Sequence, residues 1–218
     1  TTPKERLAAI LAFCAEYQNV NRDTLDEYAK EAERLADQYG DKKQKDLSKI
    51  AIANSYHRWN WIDSSIMFID PVIKSNHVDN PGERDIYFNA SRQKAMYLGG
   101  KDKMAEALDI LYKITGEAEK LMDTVIYTTN INTIGSIALA RKAPSVSMKW
   151  LRQALSWLTT SEKYDKVKAA IYANMSEAYK LTGKIDSAIF ASTKAIELYR
   201  KTQLLNGLAI TYQRQADI

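Results

Sequence analysis

The chain has 218 residues, 45% of them hydrophobic, and its 31 basic and 27 acidic side chains leave a net charge of +4. So mixed a surface lacks the concentrated basic face of a nucleic-acid binder, and no nucleic-acid partner is expected. One cysteine, Cys14, excludes an intrachain disulfide, and there is no run of 18 apolar residues to span a membrane.

Eight glycines and four prolines suit long helices joined by short turns. Residues 3–19 are predicted as a first helix, with Pro3 at its start, where a missing N–H costs nothing. Cys14 reads as a small buried hydrophobe in it. After a turn over 19–22, Asp23 is expected to cap a second helix. Its stripe is Leu25, Tyr28, Ala29, Ala32, Leu35, Ala36 and Tyr39, and Gly40-Asp41 ends it. Lys42-Lys43-Gln44-Lys45 reads as a solubilising loop.

A helix over 47–59 follows, ending in His57, Trp59 and Trp61, which read as packing aromatics. Its partner starts near Asp63. Pro71 costs a helix interior ~3 kcal/mol, so a kink or stop is expected near Ile69. Residues 74–85 are the longest polar stretch and the expected mobile loop. A third pair spans 86–98 and 101–122, turned by Gly99-Gly100. A fourth spans 124–140 and 144–158, and 159–165 is a polar loop.

The clearest stretch is 169–202. Tyr172, Met175, Ser176 and Tyr179 stand at offsets 0, 3, 4 and 7. Ile185, Ala188, Ile189, Ser192, Ala195, Ile196 and Tyr199 keep the same rhythm, which places one side chain per turn on a single helix face. Thr182-Gly183-Lys184 joins the two helices, and Gly183 supplies the permissive backbone there. Residues 203–218 read as a first helix without a partner, apolar at Leu204, Leu205, Leu208 and Tyr212.

The hairpin recurs. Units are expected near 6–45, 46–87, 88–127, 128–168 and 169–208, with a half unit at 209–218. The starts at 46, 88, 128, 169 and 209 stand 42, 40, 41 and 40 residues apart. Because the chain stops inside a unit, more polypeptide is expected to follow.

The stretch 169–202 resembles a tetratricopeptide repeat, whose pattern is W-x2-L-G-x2-Y and then A-x3-F. Tyr172 replaces the tryptophan, Met175 the leucine and Ser176 the glycine. Tyr179, Ala188 and Ala195 match, Ser192 stands at the aromatic position, and Arg200 stands near the closing proline. The family unit is 34 residues, so the longer period here implies longer helices or joints. The resemblance implies an all-α fold, an α-α superhelix of about five helical hairpins plus one unpaired C-terminal helix, wound right-handed. It also implies a concave face, lined by first helices, that takes a protein or peptide. From the register, that face carries Asn54, Arg58, Asn89, Arg92, Asn132, Ser136, Glu177 and Lys180. Asn can bond both N–H and C=O of an extended peptide, and Arg can fork onto a carboxylate. The set does not match the family's carboxylate-clamp pattern.

No catalytic motif is present: His57 and His77 fall in different units, and HExxH, CxxC, P-loop and GxSxG are all missing. No enzyme, metal or cofactor is therefore expected. The period and the joint at 31–43 resemble those of sensor regions in bacterial signalling proteins, sensor kinases or transcriptional regulators. That implies a periplasmic or extracytoplasmic part of a membrane-anchored protein. A stand-alone cytosolic scaffold binding peptide segments is the alternative. Self-association through the last helix is expected, since its outer residues lack a covering partner.

Overall fold

The computed structural model describes residues 2–16, 21–100 and 103–218. Their regular structure is helical throughout, with eleven α-helices, one 3₁₀ turn and no strand among the described residues. The helices are α1 (Pro3–Glu16), α2 (Arg22–Tyr39), α3 (Lys42–Arg58), α4 (Ile62–Ser75), α5 (Arg84–Gly100) and α6 (Met104–Lys120). Then come α7 (Thr124–Ala140), α8 (Pro144–Ser156), α9 (Asp165–Leu181), α10 (Ile185–Lys201) and α11 (Leu205–Ala216). The 3₁₀ turn, Glu162–Tyr164, is additional to the expected set and buries Tyr164.

The chain divides into two compact units, 1–110 and 111–218, with the division inside α6. In the first, each of α1 to α5 packs on the next, and α3 also touches α1 and α5. In the second, each of α7 to α11 packs on the next, and α9 also touches α7 and α11. This is the α-α repeat arrangement, in which the first helices of successive pairs form a layer of their own. First helices α3, α5, α7, α9 and α11 begin at 42, 84, 124, 165 and 205, again 42, 40, 41 and 40 apart. Each begins four residues before the start set by its sequence pattern. The pattern keys on the first core residue, and one further turn of capping residues precedes it.

Cores follow the stripes. In the first unit, Leu7, Ile10, Leu11 and Cys14 of α1 pack with Leu25, Ala29, Ala32, Leu35 and Ala36 of α2. In the second unit, Ala169 and Ala173 of α9 pack with Ala195 and Tyr199 of α10. Small residues at these crossings let the helices approach closely enough to exclude water.

Three pair turns share one backbone device, which Met122 and Gln203, at φ of 54° and 57°, repeat in joints between pairs. Asn60 between α3 and α4, Lys142 between α7 and α8, and Gly183 between α9 and α10 all adopt left-handed φ, at 61°, 55° and 70°. A single residue in that region reverses the chain within three positions.

Several boundaries differ from expectation. Asn21, not Asp23, caps α2, its Oδ1 accepting from the Asp23 amide at 2.8 Å. Lys42-Lys43-Gln44-Lys45 is not a loop but the first turn of α3. Asp41 and Gln44 form a reciprocal capping box that starts the helix early. α4 runs through Pro71 to Ser75 without stopping at Ile69, because Ile69 and Val72 on either side are fully buried and hold the helix. α5 continues through Gly99 and Gly100, so that pair is not the turn. The expected helix end at Asn19, the first half of the turn from it, and the helix start at Lys101 lie outside the described residues.

Residues 76–83, within the expected mobile loop, are held by polar contacts. Buried Asn76 donates from Nδ2 to Asp46 Oδ2 at 2.9 Å and to the Val72 carbonyl at 2.8 Å. Lys42 Nζ donates to Asn76 Oδ1 at 2.9 Å and to Glu83 Oε1 at 3.0 Å. The lysine next to Glu83, with the His77 amide, holds that carboxyl below its usual range.

Candidate binding cleft

The first-helix layer positions the sequence-derived residues, and the two units treat them differently. In the first unit Asn54 is buried, and its Oδ1 accepts from the Tyr97 hydroxyl at 2.5 Å. His57 stacks on the same Tyr97 ring at 4.7 Å. Burial, and then the nearby Arg58, push His57 below its ordinary value. Arg58 itself is exposed. Asn89 and Arg92 are half-buried, with Arg92 Nη2 at 3.4 Å from Asn89 Oδ1. Desolvation lowers the Arg92 guanidinium to about 10. Asn54 therefore ties α3 to α5, and of the four residues expected on this face only Arg58 is exposed.

Trp59 and Trp61 stack on each other at 5.8 Å, and the Arg22 guanidinium lies 4.0 Å over Trp59. Tyr56 packs against Trp61 and Phe68. This is an aromatic layer that caps one end of the α3–α4 hairpin.

In the second unit the residues converge. Ser136 from α7, Asn174, Glu177 and Lys180 from α9, and Arg214 from α11 with Asp217 just beyond line one cleft of about 370 Å³. Leu139 and Ala140 give it an apolar wall. Asn132 sits at its edge, where its Oδ1 accepts from Asn174 Nδ2 at 3.0 Å. That bond leaves the second amide hydrogen of Asn174 for a ligand. Glu177, Lys180, Arg214 and Asp217 close no ion pair with a described residue. The cleft thus offers two carboxylates, two cations, an amide and a hydroxyl, all on helices except Asp217, which sits at the C-cap of α11.

Arg214 and Asp217 escaped the sequence reading. The signal for them was present, since Arg214 lies 40 residues after Asn174 and Asp217 lies 40 after Glu177. The apolar residues of the final helix mark only its core side, so these two polar positions carry no hydrophobic signal of their own.

Among the described residues no group of three His, Cys, Asp or Glu is placed to hold a metal. No described helix is long and apolar enough to cross a membrane. No protein-family model matches the chain, and a comparison with curated proteins returns no match. The reading of this cleft therefore stands on its geometry.

Proposed function

We propose that the chain is a non-catalytic protein- or ligand-binding region of the tetratricopeptide-repeat type. The supporting observation is the cleft over α7, α9 and α11, in which Ser136, Glu177 and Lys180 meet Arg214 and Asp217. Uncompensated charges of both signs, carried one helix apart, suit the alternating N–H and C=O groups and mixed side chains of an extended peptide. An enclosed small-molecule pocket would be chiefly apolar, whereas this open lining is divided evenly between polar and apolar surface and carries four charged side chains. The parent protein, on this proposal, is a bacterial sensor kinase or transcriptional regulator with this region outside the cytoplasm. Support for that part is the period of about 40 residues and its resemblance to such sensor regions. Self-association through α11 belongs to the same proposal, since Leu205 is 56% exposed there.

The test is a peptide-array screen of the wild type beside a Ser136→Ala, Glu177→Ala, Lys180→Ala variant. Hydrogen bonds to charged groups contribute about 1.5–3 kcal/mol each, so bound peptides should weaken by at least about tenfold. Peptides that bind both proteins equally would remove the cleft from the mechanism. Light scattering of Leu205→Lys beside the wild type tests the dimer, and equal association would reject it.

A further inference from the structure

A second groove in the same unit lies between α8 and the α9–α10 turn. It encloses about 490 Å³ and is lined by residues 144, 145, 148, 149 and 152 on one wall and 178, 179, 182 and 184 on the other. Its charges are Lys149, Arg152 and Lys184, and no Asp or Glu lines it. Lys149 and Arg152 stand three apart on α8, which points them to one side of that helix. Lys184 faces them from the opposite wall. Met148, Ala178 and the half-buried Tyr179 ring provide apolar surface between the walls.

Some cations of the chain are neutralised locally. Lys201 holds Glu162 and Asp165 at 2.6 and 2.9 Å, and Lys94 holds Asp70 at 2.7 Å. Lys149, Arg152 and Lys184 have no such partner among the described residues. Three like charges around one concavity repel each other and raise the local concentration of anions.

We propose that this groove docks an acidic peptide segment of another protein, with carboxylates on both walls and an apolar side chain over Tyr179. Arg152 can take a carboxylate through two parallel N–H bonds, whereas Lys149 and Lys184 act as point charges. Cations on two walls with apolar surface between them match an anion distributed along a chain better than a compact one. A nucleic-acid strand asks for a basic track with stacking aromatics, and three cations around one tyrosine fall short of that.

The experiment measures fluorescence anisotropy of a labelled eight-residue Asp/Glu-rich peptide with a central Phe, titrated with the full chain. The comparison is between Lys149→Glu/Arg152→Glu/Lys184→Glu and a control, Lys4→Glu/Lys43→Glu/Lys120→Glu, with the same change in net charge at other exposed lysines. A neutral Lys149→Gln/Arg152→Gln variant serves as a milder second probe. The groove reversal should cost at least about tenfold in affinity and the neutral variant a smaller loss. The control should stay within about twofold, since solvent-exposed charges beyond a Debye length are screened. Equal losses in groove and control variants would overturn the proposal, as would no binding by the wild type. Competition by inorganic phosphate alone, or equal or tighter binding of an eight-nucleotide single strand, would reassign the groove to those anions and overturn it too.

Discussion

The Tyr97 hydroxyl on α5 donates to Asn54 Oδ1 on α3 at 2.5 Å, with both side chains buried. This bond links two first helices through residues 43 apart in sequence, and Asn174–Asn132 does the same between α9 and α7 through residues 42 apart. Replacing Tyr97 by Phe keeps the ring stacked on His57 but leaves the Asn54 oxygen without that donor. The cost should be about 1–3 kcal/mol, the penalty for a buried acceptor that loses its bond. Urea unfolding of Tyr97→Phe should show a lower midpoint with an unchanged slope. A midpoint equal to the wild type would mean that the bond contributes nothing net.

Alkaline pH should unfold this protein through its buried phenols. Desolvation raises Tyr199 to about 12 and holds Tyr97 higher still. A folded-state value above the ordinary 10.0 means that the folded chain keeps its proton more tightly than the unfolded chain. The contribution is whole below pH 10 and is lost as pH rises through the folded values. Urea midpoints measured at pH 8 and near pH 11 should therefore fall, and Tyr199→Phe should shrink the fall. A drop of the same size in that variant would place the alkaline sensitivity in other groups.

Two glycines and one lysine test the backbone reading. A Cβ on Gly207 would lie 2.5 Å from the Tyr199 ring, which is buried and cannot move aside cheaply. Gly207→Ala should cost about 1–3 kcal/mol by overpacking. Gly183→Ala meets open space, so any loss there, about 1 kcal/mol, comes from its φ of 70° alone. Lys142 adopts the equivalent left-handed turn with a side chain, so Lys142→Gly should be neutral or stabilising by up to about 1 kcal/mol. Thermal melts of the three variants should rank in that order. A stabilised Gly183→Ala would sink the account.

Much of this architecture was legible because each helix pair buries its own stripe. The stripe of α2 and the hairpin of α9 and α10 are visible at 3/4 spacing, and the period carries the pattern back to weaker pairs. Boundaries were harder, since they depend on contacts that local propensity does not encode. Gly99 and Gly100 stay helical although their intrinsic preference is for a turn. Pro71 is tolerated because the neighbours of its missing hydrogen bond are locked in the core. The cleft was half legible: Ser136, Glu177 and Lys180 follow from register, whereas Arg214 and Asp217 lie on the polar side of the last helix, away from its apolar stripe. In the first unit the burial of Asn54 depends on Tyr97, a residue in the next pair.

Packing between sequence neighbours has a kinetic consequence. Within each unit the helices touch the next helix or the one after it, so forming the core closes short loops rather than long ones. Low contact order of this kind belongs to chains that fold in microseconds to milliseconds. Among the described residues of each unit, no distant strand or helix clamps its ends. Force applied along either unit would peel hairpins off one at a time, each leaving its neighbour's stack intact, and yield a staircase instead of a single rupture.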